Sequence, residues 1–243
     1  MIDLSSNSVL EAIDFSEVGI TDGLVAWYPL NGNTRDYTEN RNDGTVNGAT
    51  VAAGLDGKLC YSFDGADSII INKSISNNMP QAVTISAWVK YDANNDNQYH
   101  DVVGAGTSYG GTCTLFLGMY NNTTIMGEVR GPNGRINLAS SAPVGNVWRF
   151  LAYTVDTTSR VLYLDGTPVA TSTGSSLVNV DADLKIGGMR TTDFLRLIQD
   201  VRIYNRALSE KEIKLMYELT KNKNTHFTKN NEIFIPGEFN EVN

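Results

Sequence analysis

Cysteine is scarce: Cys60 and Cys113 are the only two in 243 residues. Each sits in a strand-like context, "KLCYSF" and "TCTLFL", which favours two buried free thiols over a disulfide-stapled scaffold, with one disulfide as the arithmetical alternative. Histidine is equally rare. His100 and His226 have no serine or cysteine partner in an obvious arrangement and no ligand spacing, so neither a nucleophilic triad nor a histidine metal motif is signalled. Positive charge is in deficit, with 19 Lys+Arg against 27 Asp+Glu, a net charge of -8 and a pI near 4.8. That argues against nucleic acid and anionic membranes as partners, because no basic patch is available to release counterions. No run approaches the roughly 20 apolar residues of a membrane span. The N-terminus, "MIDLSSNSVLEAIDFSEVGI", has neither the basic nor the apolar region of a secretory signal.

What the sequence does contain is strands. From residue 22 onward, short β-rich runs alternate with Gly, Asn and Asp clusters: "LVAWYP", "LCYSFD", "SIIIN", "VTISAWVKY", "CTLFLGMY", "TIMGEV", "RINLAS", "WRFLAYTVD", "RVLYLDG", "PVATST", "LKIGG" and "IQDVRIY". Asp165-Gly166 in "VLYLDGTPVATS" and Asn133-Gly134 in "RGPNGR" supply hairpin turns. One helix is expected over 210–219. Ser209 and Glu212 form a capping box, Leu208 and Ile213 occupy the positions of a hydrophobic staple, and Ile213, Met216, Tyr217 and Leu219 give the helix an apolar side. Many short strands and one capped helix predict an all-β, two-sheet antiparallel sandwich. Trp27, Trp88 and Trp148 lie within strands and are expected in its core. The organisation expected is an N-terminal arm over 1–21, one domain over 22–220, and a tail over 221–243 whose "EIFIPGEF" suits a hairpin or a docking peptide. Such arms suit contacts with other proteins of an assembly.

Six stretches occur in an order that resembles the LamG-like jelly-roll family of the concanavalin A-like lectin/glucanase superfamily: "GLVAWYPLNGN", "DYTENRNDGTVNGA", "YSFDGADSIII", "TISAWVKY", "VLYLDG" and "DVRIYNRALSEKEI". The resemblance covers residues 23–219. It implies a jelly-roll sandwich in which the last strand returns beside the first and the helix closes the end. It also implies a structural Ca²⁺ held by Asp36, Asn42, Asp43 and Asp200, a set rich in the oxygen donors calcium prefers. The alternative for these residues is local bonding in turns. The chain departs from the family at Arg196, which replaces a glycine, and at Gln199, which replaces a carboxylate.

Tyr99, His100, Tyr109, Tyr120, Asn121 and Asn122 are expected in loops, where rings and amides can meet the faces and hydroxyls of a sugar. No strand carries the paired acid and base of a glycanase, and Glu128 stands alone on its strand, so the protein is expected not to be an enzyme. Three roles follow. The first is a bacteriophage-type virion protein, a decoration or fibre component located in the virion after assembly in the host cytoplasm. It would contact other virion proteins through its arms and adhere to surface glycans, and a homo-oligomer would suit it. The second is a free-standing carbohydrate-binding module, and the third a glycan-active enzyme.

Overall fold

The computed structural model describes residues 20–71, 82–91, 99–106, 115–120, 123–131, 134–141, 146–173, 183–188, 195–221, 227–229 and 232–234. In chain order the strands are β1 (Leu24–Tyr28), β2 (Thr45–Asn47), β3 (Thr50–Ala53), β4 (Leu59–Asp64), β5 (Ser68–Ile71), β6 (Val83–Tyr91), β7 (Tyr99–Ala105), β8 (Leu115–Tyr120) and β9 (Thr124–Gly131). They continue as β10 (Gly134–Ser141), β11 (Trp148–Val155), β12 (Ser159–Leu164), β13 (Thr167–Thr173), β14 (Leu184–Ile186) and β15 (Leu195–Tyr204). Then come the helix α1 (Glu210–Thr220) and two short strands, β16 (Phe227–Lys229) and β17 (Glu232–Phe234).

Two antiparallel sheets face each other. One has eight strands in the order β13-β12-β11-β6-β15-β4-β3, with β1 also pairing β15; the other runs β10-β9-β8-β7-β14-β5-β2. The interior follows from period-two alternation. On β6, Val83, Ile85, Ala87, Val89 and Tyr91 point inward, while β8 contributes Leu115, Leu117 and Met119 from the facing sheet. Cys60 on β4 is a buried free thiol whose pKa burial pushes up to about 11; Cys113 lies outside the described residues.

The last strand does return beside the first. β15 pairs β4 through Leu195–Ile198 and β1 through Val201–Tyr204, with β6 along its other edge. The change of neighbour happens at a register shift after Gln199, where Asp200 has φ 51° and its amide donates to the Pro29 carbonyl at 3.2 Å. The β12–β13 hairpin turns through Asp165 (φ 50°) and Gly166 (φ 76°), the left-handed pair that Asp-Gly allows at low steric cost. Gly166 also lies against Tyr217, where an added Cβ would come within 3.0 Å of that side chain.

The helix begins at the expected cap. The Ser209 hydroxyl accepts from the Glu212 amide at 3.3 Å and the Glu212 carboxylate accepts from the Ser209 amide at 2.7 Å. Leu208, Ile213 and Met216 are buried with Trp88, Phe150, Tyr163 and Tyr204 on the outer face of the eight-stranded sheet. Polar contacts from every second residue of β6 fix this cover. The Thr84 hydroxyl accepts from the Leu208 amide at 2.9 Å, the Ser86 hydroxyl lies 3.3 Å from the Met216 sulfur, and the Trp88 indole donates to the Thr220 hydroxyl at 2.8 Å.

Two expectations are corrected. All three tryptophans stand on the outer side of their strands rather than in the interior; Trp88 is buried there beneath α1, whereas Trp27 and Trp148 are only half-buried. Tyr99 and Tyr120 stand not in loops but in strands β7 and β8, and β2 and β3 are strands too short to show in the sequence. Residues 1–19 lie outside the described residues. The chain is docked from Ile20 onward, since Ile20 packs on Leu219 and its carbonyl accepts from the Tyr204 hydroxyl at 2.8 Å.

Candidate functional site

Antiparallel register builds the candidate site on the outer face of the seven-stranded sheet. On β8 the odd positions enter the core, so Phe116, Gly118 and Tyr120 face outward. Tyr99 of β7 stands directly opposite Tyr120, their ring centroids 4.9 Å apart and the planes tilted by 53°, a favourable edge-to-face arrangement. Both rings are half-buried. Beside them Phe116 and Met126 form a small apolar cluster. Gly118 is needed here, because a Cβ at that position would overlap the Phe116 ring.

Two carboxylates share this side. Asp101 pairs with Gly118 and Glu128 pairs with Phe116. Both are buried, at 0% and 2% exposure. They are two strands and two residues apart, about 12 Å between Cα atoms by strand geometry. The Phe116 ring, leaning across Gly118, occupies the ground between them.

The sequence-predicted sugar residues separate accordingly. Tyr99 and Tyr120, 21 positions apart, come together. His100 does not join them: alternation turns it inward, where it is 1% exposed and hydrogen-bonded to the Tyr91 hydroxyl at 2.5 Å. Tyr109, Asn121 and Asn122 lie outside the described residues. Asp101, Phe116 and Met126 were missed. The spacing Phe116-x-Gly118-x-Tyr120 was the available signal, but it acquires meaning only once the inward positions are known.

The expected calcium ligands lie around Trp27. Asp36 Oδ1 accepts from the amides of Trp27 at 3.1 Å and Thr38 at 2.9 Å. Its Oδ2 accepts from the Asn42 amide and the Thr38 hydroxyl, both at 3.0 Å. Asp43 Oδ1 accepts from the Asp36 amide at 2.9 Å, and the Asn42 carbonyl accepts from the Tyr28 hydroxyl at 2.6 Å. Burial, then Asp36 and Asp43, raise the Tyr28 hydroxyl pKa far above its ordinary value. Asp200 Oδ1 accepts from the Trp27 indole at 2.6 Å, and both its oxygens accept from Arg202 at 3.1 Å. Arg202 is buried and lies 5.0 Å over the Trp27 ring. Burial disfavours its charge, but Asp200 and Tyr204 outweigh that and raise its pKa.

This donor set does not fit calcium. Each Asp36 oxygen already takes two donors, and a guanidinium neutralises Asp200 where the cation would. Among the described residues no group of three or more His, Cys, Asp or Glu side chains is placed to hold a metal ion. The loop instead follows the turn-bonding alternative, and Gln199 adds to it by accepting from the Leu55 amide at 2.8 Å.

The family described as the concanavalin A-like lectin/glucanases superfamily matches residues 63–214, more than half of the chain. The chain belongs to that superfamily. A search of curated proteins found no match. Among solved structures, the chain is similar to the binding domain of Paraclostridial Mosquitocidal Protein 1, at 19% identity and a TM-score of 0.66 over 82% of this chain and 52% of that one. It is similar to domain 4 of AbnA, an extracellular arabinanase from Geobacillus stearothermophilus solved with arabinotriose, at 20% identity and a TM-score of 0.63 over 80% of this chain and 98% of that one. The binding domain of botulinum neurotoxin DC in complex with SialylT matches at 15% identity and a TM-score of 0.62, over 84% of this chain and 53% of that one. The chain thus spans about half the length of the toxin binding domains it matches. At these identities the likeness shows a shared lectin-like fold. No helix among the described residues is long and apolar enough to cross a membrane.

Proposed function

We propose that this chain is a non-catalytic, lectin-like module that binds glycans through the outer face of the seven-stranded sheet, with Tyr99 and Tyr120 as the sugar platform. The observation that carries this reading is the pairing of two half-buried tyrosines from neighbouring strands. Their rings offer apolar surface to sugar C–H groups and their hydroxyls offer polar tips. Asp101 and Glu128 are buried with the Phe116 ring between them, which supports binding without hydrolysis, since a glycosidase presents both carboxyl groups to the scissile bond. The solved structures it resembles include toxin binding domains and an arabinanase domain crystallised with arabinotriose, which also favours a binding role.

The wider setting we propose is adhesion by a virion decoration or fibre protein, with residues 1–21 and 221–243 joining it to the assembly. That part rests on the sequence of the two flanks. The glycan reading is tested on a glycan array carrying arabino-oligosaccharides and sialylated glycans. Specific binding that weakens about tenfold in Tyr120→Ala, a loss near 1.4 kcal/mol, is expected. A silent array with folded protein, or binding untouched by Tyr120→Ala, overturns it.

A further inference from the structure

A second feature lies on the other side of the molecule, at the C-terminal end of α1. Trp27, Pro29, Leu55 and Trp88 form the apolar wall of a depression of about 40 Å³. Three of the polar groups around it are committed to the fold: Gln199 to the Leu55 amide, Asp200 to the Trp27 indole, and Thr220 to the Trp88 indole. Three others are not. Among the described residues, the Asp56 carboxylate, the Lys58 ammonium and the Asn31 amide NH₂ have no hydrogen-bond or ion-pair partner, although all three residues are half-buried and line the depression.

The backbone that presents these groups is held in an unusual conformation. Leu30, Asp56 and Asp200 have φ of 57°, 57° and 51°. A left-handed leucine costs roughly 1–2 kcal/mol, and it fixes the direction in which Asn31 leaves Pro29. Next to it, Asp200 pairs with the buried Arg202 and donates its amide to the Pro29 carbonyl.

We propose that this depression binds the acetamido group of an N-acetylated amino sugar. The size fits a substituent rather than a ring: a water needs roughly 10–15 Å³ by this measure, so the space holds about three, close to the bulk of an acetyl group. The chemistry fits as well. An acetamido group has a methyl, a carbonyl acceptor and an N–H donor. The wall of Trp27, Pro29 and Leu55 suits the methyl, Lys58 and Asn31 supply donors for the carbonyl, and Asp56 supplies an acceptor for the N–H. A plain hydroxyl leaves the apolar wall unused, and an ammonium at the same position meets Asp56 but leaves the wall unused, faces Lys58 and gives Lys58 and Asn31 no carbonyl to bond. This site is separate from the Tyr99–Tyr120 platform, so its failure leaves that reading standing.

The test is a titration of the full chain, ¹⁵N-labelled, with N-acetylglucosamine, glucose and glucosamine, following the tryptophan indole N–H resonances. N-acetylglucosamine is expected to shift the Trp27 indole saturably, while glucose and glucosamine leave it in place. Lys58→Ala should weaken the response about tenfold, the worth of one charged hydrogen bond, and Tyr120→Ala should leave it unchanged. No saturable shift at the solubility limit of the acetylated sugar, an equal shift with glucose, or full affinity in Lys58→Ala overturns the proposal.

Discussion

On β6 the outward positions Thr84, Ser86 and Trp88 each meet a partner on α1 or on the chain leading into it. On β8 the outward positions Phe116, Gly118 and Tyr120 meet each other and Tyr99 instead. Both strands alternate in the same way and fill one shared interior. The first sheet spends its outer face on stability, under a helix capped at one end and bonded at the other. The second carries an aromatic pair across two strands. Alternation along a strand therefore does not determine by itself what an outer face carries: a helix on the first sheet, an aromatic pair on the second.

The widest gap between the two faces should appear on truncating the helix cover. Ile213→Ala removes a fully buried side chain and is expected to cost about 3 kcal/mol in denaturant unfolding, with glycan affinity unchanged in the folded fraction. A loss of affinity without a loss of stability would mean the helix face takes part in binding.

A smaller effect is expected at the cap. Burial raises the Glu212 pKa, but hydrogen bonds from Arg206 and Ser209 outweigh it and hold the carboxyl below its usual range. A depressed folded pKa contributes stability that is present above the unfolded value, near 4.3, and is lost as pH falls through the folded value. Glu212→Gln keeps a capping partner for Ser209 but loses the charge that pairs with Arg206, so it should lower stability by about 0.5 kcal/mol at neutral pH and flatten the acid limb of the stability curve. An unchanged acid limb would assign that limb to other carboxylates.

The smallest effect is expected from chelation. With Asp36 engaged by four donors and Asp200 by Arg202 and Trp27, EDTA should leave the melting temperature unchanged, and added calcium should not raise it. A drop that calcium reverses would show that this loop rearranges around a cation.

What the sequence revealed was local. The Ser209–Glu212 box, the Leu208–Ile213 staple and the Asp165-Gly166 turn each depend on residues within five positions of one another, and each was legible. The two-sheet fold was legible from repeated alternation. The site depended on longer reach. Tyr99 meets Tyr120 only through the β7–β8 register, and the same register sends His100 inward, which no reading of "QYHD" as a loop could anticipate. Trp27 looked like core because its neighbours are aliphatic. Its indole is taken by Asp200, 173 positions away, and its ring by Arg202. The residues expected to hold calcium lie around Trp27, but the partners Asp36 and Asp200 have here are amides, a hydroxyl, an indole and a guanidinium.

The division of labour between the faces is tested most directly by mapping a bound glycan. The strongest array binder, titrated into ¹⁵N-labelled protein, should shift the backbone amides of Tyr99, Tyr120 and Thr124 and leave Thr84, Ser86 and the α1 amides in place. Shifts gathered on α1 and β6, with the Tyr99–Tyr120 amides unmoved, would contradict it.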